Sequence, residues 1–248
     1  MIPATFSIET EMHNSVQELC FNGQSYNDIY KYASQTVYNF FANPESFVFY
    51  EATKDIVNQL VQMIAQDEKS IRKLQVEVIE DGYYIHIHSV NVAIYSISLG
   101  ICLNLSLEDL RELGEAALLH DIGQTKIDNL IINKNGKPTD DEYQEIKNHL
   151  DVGCSIMQRL GIRNIKVWQG VKQHHEKIDG SGYPLGLKGR QISLYARIIC
   201  LCDIFDALTS KKNSKESIVA CEAVELIKNE MKGQVDATLL EKMIEIFT

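Results

Sequence analysis

The chain has 248 residues, of which 45% are apolar and 23% charged, with only 14 Gly and 4 Pro. That is enough to bury a large core, and it excludes collagen-like, low-complexity and largely disordered chains. The formal charge of −10 repels a polyanion, so no long nucleic acid is expected as a partner, whereas a small phosphate ligand stays open because a local cation outweighs the global field.

Residues 1–75 are rich in Tyr, Phe, Asn and Gln, and Ile56, Leu60, Met63 and Ile64 have helical spacing. This segment is expected to be a small, mostly helical regulatory or dimerisation region. A functional domain is expected over 76–248, with Val76–Ile79 its best strand candidate. From Gly82 to Leu107 there is no Asp, Glu, Lys or Arg, long enough to cross a bilayer. His86, His88, Asn91, Ser96, Ser98 and Asn104 interrupt it, which favours a buried core helix and no membrane. Ser106 followed by Asp109 starts a helix carrying Leu110, Leu113, Ala117 and Leu118 and ending near His120. Thr139 and Glu142 form a capping box for a helix expected to run to Gly161. A helix with Val167, Trp168 and Val171 leads to His174-His175, and Asp179 to Pro184 must be loop. Further helices are expected from Leu194 to Ser210 and from Lys215 to the end. The fold class is all-α.

Six cysteines (Cys20, Cys102, Cys154, Cys200, Cys202 and Cys221) form no Cys-x-x-Cys pair. With no basic and apolar leader at Met1, reduced thiols in the cytoplasm are expected.

Six of the seven His lie between 86 and 175. His120-Asp121 follows an apolar run, where a charge must be paired or bound to metal; a hydrogen-bonded His-Asp core pair is the alternative. His174 and His175 point about 100° apart on a regular helix, so they serve one ion only at a helix end, or two ions; a polar helix terminus is the plainer reading. Asp203 and Asp206 share one face of an apolar helix, with a salt bridge to Arg197 or a Lys as the alternative. Together, five His and two Asp exceed what one tetrahedral zinc takes, and imidazole with carboxylate and no thiolate suits iron or manganese ahead of zinc. Two ions sharing a carboxylate generate a hydroxide at neutral pH and hold phosphate oxygens, which points to metal-assisted phosphoester hydrolysis.

His120-Asp121, the run His-His-Glu-Lys-Ile-Asp-Gly-Ser-Gly-Tyr-Pro at 174–184, Ala-Arg-Ile at 196–198 and Asp-Ile-Phe-Asp-Ala-Leu-Thr-Ser at 203–210 resemble the HD-GYP branch of the HD-domain phosphohydrolases, whose members hydrolyse cyclic di-GMP. The resemblance runs from about Leu74 to the end. It implies an HD-domain helical bundle with a dinuclear centre. One ion is implied at His88, His120, Asp121 and Asp203, the other at His149, His174 and His175, with Asp121 bridging. Tyr84 stands where some members have a Glu that holds a third ion, so two divalent ions are expected, iron first and manganese second. Two departures bear on substrate. Gln124 replaces the usual Lys beside substrate phosphate, with Lys126 nearby. Lys212 and Lys215 keep the charges of a basic-Pro-Tyr-basic run in which Asn213 and Ser214 replace Pro and Tyr. The expectation is a phosphodiesterase acting on cyclic di-GMP or a related cyclic dinucleotide, with Asp121, Gln124, Lys212 and Lys215 at the reaction centre; the alternative is a weakly active or inactive module that binds the nucleotide or a signalling partner. A partner contact through the Gly-Tyr-Pro loop and a homodimer complete the expectations.

Overall fold

A computed structural model describes residues 26–66, 84–132, 134, 136–210 and 218–247. Every regular element among them is helical: α1 (Tyr26–Ala42), α2 (Phe47–Gln66), α3 (Ile85–Cys102), α4 (Leu107–Leu119), a 3-10 turn (Ile122–Lys126), α5 (Asn129–Ile132), α6 (Asp140–Lys147), α7 (His149–Arg159), α8 (Ile165–Gln173), a second 3-10 turn (Gly189–Gln191), α9 (Leu194–Thr209), α10 (Ala220–Glu230) and α11 (Ala237–Phe247). The strand candidate at Val76–Ile79 lies outside the described residues.

The uncharged stretch forms α3, the helix around which the others pack: α1, α2, α4, α9 and α11 all touch it. It is apolar and long enough to cross a bilayer, yet 72% of it is buried within the protein. Several of its polar groups are bonded within the protein. Ser98 Oγ donates back to the Ile94 carbonyl at 2.6 Å, and Asn91 is bonded on both sides of its amide. Around α3 lies one continuous core that includes Phe40, Ile56, Leu60, Ile97, Leu113, Ile156, Val171, Ile199 and Phe205. The described helices of the first 75 residues, α1 and α2, contribute to that same core. Full burial of one Leu, Ile or Phe side chain is worth about 1.5–3 kcal/mol, so Phe40, Ile56, Leu60 and Ile64, each at most 1% exposed, bind α1 and α2 firmly to the rest.

The caps read from the sequence form. Ser106 Oγ accepts from the Asp109 N–H at 3.1 Å. Thr139 Oγ1 accepts from Glu142 N–H at 3.3 Å while Glu142 accepts from Thr139 N–H at 2.7 Å. One helix differs from expectation: the run from Asp140 to Arg159 is broken at Asn148 into α6 and α7. The His149 ring takes the Ile146 carbonyl at 2.6 Å, an acceptor that an unbroken helix would give to a backbone N–H, and the break turns that ring inward.

Candidate metal centre

Three helices, α4, α6 and α8, end at one place, and a histidine follows closely on each end. In His120, His149 and His174, ring Nδ1 lies 2.6–2.8 Å from the carbonyl three residues earlier: Ala117, Ile146 and Val171. These carbonyls belong to last turns, where the helix leaves acceptors unsatisfied. A carbonyl can only accept, so each Nδ1 carries the proton and each Nε2 keeps a bare lone pair. His88, on α3, reaches the same state differently, with Nδ1 at 2.6 Å from Asp206 Oδ2.

The lone pairs converge. His88 Nε2 and His120 Nε2 are 3.3 Å apart, a contact that needs a proton or a cation between them. Asp121 Oδ1 lies 3.3 Å from His149 Nε2 and 3.8 Å from His174 Nε2, and its other oxygen lies 3.5 Å from His120 and 3.8 Å from His88. Asp203 Oδ1 is 3.2 Å from His88 Nε2. Ligand atoms of Asp121, His149, His174 and His175 fall within 4.8 Å of one another, as do those of His88, His120 and Asp121. Asp121 Oδ1, His149 Nε2 and His174 Nε2 are buried and have no hydrogen-bond partner. Orphaned buried groups of this kind are costly unless an ion takes them up, and the C-terminal helix ends add negative potential. The donor set fits two divalent ions.

Electrostatics point the same way. Burial pushes His120, His174 and His175 below their ordinary value, His175 to about 4, so they stay neutral and able to ligate. His88 goes the other way: burial opposes its charge, but hydrogen bonds to Asp203 and Asp206 outweigh burial and take it up to about 10, so a cation held at its Nε2 would have to displace a proton. Burial works against ionisation of Asp121 and Asp203 as well; the surrounding imidazoles win and hold both carboxyls below the usual range.

The structure therefore brings together seven residues singled out in the sequence: His88, His120, Asp121, His149, His174, His175 and Asp203. Regular α8 stops at Gln173, so His174 and His175 stand at a helix end, with ring centroids 4.0 Å apart. Arg197 pairs with Asp236 at 2.5 Å rather than with Asp203, and the His120 ring bonds the Ala117 carbonyl through Nδ1 while its Nε2 faces Asp121 at 3.5 Å. Gln124 sits half-buried in the first 3-10 turn beside the centre, with Lys126 exposed. Lys212 and Lys215 lie outside the described residues. Tyr84, 44% exposed, has its ring 5.5 Å from that of His86.

Two supporting carboxylates had not been given roles. Asp206, 1% exposed, orients His88; its spacing from Asp203 was the available signal. Glu176, 2% exposed, accepts from the Leu185 and Leu187 N–H groups at 2.6 and 2.9 Å and so ties down the Gly-Tyr-Pro loop. That loop passes close to the centre: a Cβ on Gly182 would lie 2.4 Å from Lys177 N and 2.5 Å from the His175 oxygen, so only glycine fits. Tyr183 stacks on His175 with centroids 4.7 Å apart, and Lys147 lies over the rings of Tyr143 and Tyr183 at 4.4 and 5.2 Å, bringing positive charge to the rim.

Comparison with known proteins agrees. A sequence model described as the HD domain matches residues 54–239. A cyclic di-GMP phosphodiesterase of Pseudomonas aeruginosa is 34% identical over 77% of this chain and 46% of its own length. A 3'3'-cGAMP-specific phosphodiesterase of Vibrio cholerae is 35% identical over 60% of this chain and 32% of its own. The chain thus spans less than half the length of these curated relatives. Among solved structures, Bd1817, an HDG"Y"P protein from Bdellovibrio bacteriovorus, superposes with a TM-score of 0.75 at 20% identity, covering 98% of this chain and 78% of that one, which shows the shared helical fold. The chain belongs to the HD-domain family.

Proposed function

We propose that this chain is a metal-dependent phosphodiesterase that hydrolyses cyclic di-GMP or a closely related cyclic dinucleotide. The observation that carries the proposal is the inward convergence of four imidazole lone pairs on the Asp121 carboxylate, each ring fixed from behind by an obligate acceptor. In this reading His88, His120, Asp121 and Asp203 hold one ion, and His149, His174 and His175 the other, with Asp121 shared. Tyr84, exposed and turned to His86, stands in place of a carboxylate, which supports two ions rather than three. The ions, iron or manganese by their mixed nitrogen and oxygen donors, supply Lewis acidity and acidify water, the chemistry that phosphodiester cleavage needs. The protein's own part is positional: it fixes the donors, excludes bulk water, and presents Gln124, and in sequence Lys212 and Lys215, to substrate phosphate. Free Cys200 and Cys202, both buried, accord with a reducing, cytoplasmic setting. Exposed Leu185 on the Gly-Tyr-Pro loop supports this loop as the contact for a signalling partner.

The names of the relatives make cyclic di-GMP and 3'3'-cGAMP the two substrates to try. The test is turnover of each by the purified protein loaded with Fe(II) or Mn(II), followed by chromatography. Linear dinucleotide or mononucleotide product above an Asp121→Ala control supports the proposal; neither with either nucleotide overturns it. Gln124, which offers an amide where the family uses an ammonium, favours a second reading as a nucleotide-binding module; calorimetric binding without turnover would select it.

A further inference from the structure

Behind His88 runs a chain of buried polar contacts that crosses three helices. Asp206 Oδ2 faces His88 Nδ1 at 2.6 Å. Asp206 Oδ1 accepts from Asn91 Nδ2 at 2.8 Å and from Ser210 Oγ at 2.9 Å. Asn91 Oδ1 in turn accepts from the Tyr30 hydroxyl at 2.8 Å. Tyr30, Asn91, Asp206 and His88 are 4%, 2%, 1% and 2% exposed, so no bulk water can substitute for any member.

The direction of every bond is determined. An ionised carboxylate only accepts, so Asn91 must turn its NH2 toward Asp206 and its oxygen away. Tyr30 is the donor that meets this oxygen. Without the hydroxyl, Asn91 is left with a buried, unsatisfied acceptor, and flipping its amide would set oxygen against oxygen at Asp206. Either response weakens the Asn91 bond to Asp206, leaves Ser210 Oγ as its firmer donor, and loosens the hold on the His88 ring. Partners behind a ligating imidazole fix its tautomer and aim, and Tyr30 stands two bonds further back along the same line.

Resting on the two-ion reading above, we infer that Tyr30, acting through Asn91 and Asp206, is a positioning residue for His88 and sets the affinity of the ion that His88 shares with His120, Asp121 and Asp203. It sits on α1, ahead of residue 54 where the family match begins, so the N-terminal helix of this chain takes part in building the centre.

The test is Mn(II) titration of metal-free protein by calorimetry, repeated with Co(II) read by its visible absorption, on the wild type, Tyr30→Phe and Tyr50→Phe. Tyr50 is the control: its hydroxyl also makes a half-buried bond to a neighbouring helix, to Glu115 at 2.5 Å, outside the chain of contacts to His88. The expected result is two sites in the wild type, one of them weakened about 2- to 10-fold by Tyr30→Phe with an altered Co(II) spectrum, the other unchanged, and neither changed by Tyr50→Phe. Melting in EDTA shows whether both variants fold. Equal binding by Tyr30→Phe and wild type, or equal weakening of both sites, overturns the inference while leaving the metal centre intact. Absence of binding by the wild type overturns the metal reading itself and the inference with it.

Discussion

Replacing Gly123 by Ala is a single-methyl test of how the centre is assembled. Gly123 follows Asp121 by two residues, where the first 3-10 turn lies flat against α7. A Cβ at this position would fall 1.9 Å from the His149 carbonyl oxygen, 2.7 Å from Gly153 N and 2.8 Å from the His149 carbonyl carbon. All three are backbone atoms, so no rotamer change relieves the clash. The two segments must part by about 1.5 Å to reach ordinary contact. Overpacking of a core costs about 1–3 kcal/mol, and with rigid backbone on both sides the upper end applies, about 3 kcal/mol. For a domain of this size that lowers the melting midpoint by about 6–12 °C. The displaced segments carry Asp121 and His149, now 3.3 Å apart, so Mn(II) affinity must fall as well. Gly153→Ala, across the same interface, is the internal control. Its Cβ would meet nothing nearer than 3.5 Å, and Ala within a helix is favoured over Gly by up to about 1 kcal/mol. Scanning calorimetry of the two variants in EDTA, then with Mn(II), decides. Equal midpoints for Gly123→Ala and Gly153→Ala would refute the packing argument.

Three further outcomes follow from the same structure. Glu176→Ala removes a buried carboxylate that two loop amides depend on; charged hydrogen bonds are worth about 1.5–3 kcal/mol, so exchange of the Leu185 and Leu187 amides is expected to quicken at least about tenfold, and unchanged protection would contradict the bracing role. Burial pushes the Cys200 and Cys202 thiols up to about 12, leaving about one part in 10⁴ as thiolate at pH 8. In the native protein a disulfide reagent should modify exposed Cys221 first and these two only on unfolding; peptide mapping that found Cys202 labelled early would show the packing of α9 to be wrong. Lys147→Ala removes the cation over Tyr143 and Tyr183 without touching a proposed metal ligand, so nucleotide affinity should fall while Mn(II) stoichiometry stays the same.

Much of the site was legible because its chemistry is expensive to hide. His120-Asp121 behind an apolar run and Asp203 with Asp206 on an apolar helix conflict with burial unless something compensates, and that conflict shows in the sequence itself. The helices were legible through periodicity and caps, as at Ser106 and Thr139. The break at Asn148 was not: no Gly or Pro marks it, and its cause is a ring-to-backbone bond at His149 that exists only once the ring points inward. Nor could spacing reveal that α1 and α2 join the core around α3, because their partners lie tens of residues away and long-range packing leaves no local pattern. Asn91 was visible merely as a polar residue arguing against a membrane span; its use, between Tyr30 and Asp206, depends on three helices meeting.

The most direct measurement is the metal content of the purified protein, wild type beside Asp121→Ala, by elemental analysis after loading with Mn(II) and desalting. Two equivalents per chain for the wild type and a clear loss from both sites in the variant is the expected result, since Asp121 faces His88 and His120 through one oxygen and His149 and His174 through the other. A wild type that retains no metal, or a variant that retains as much as the wild type, would contradict the metal centre on which the proposed phosphodiesterase activity depends.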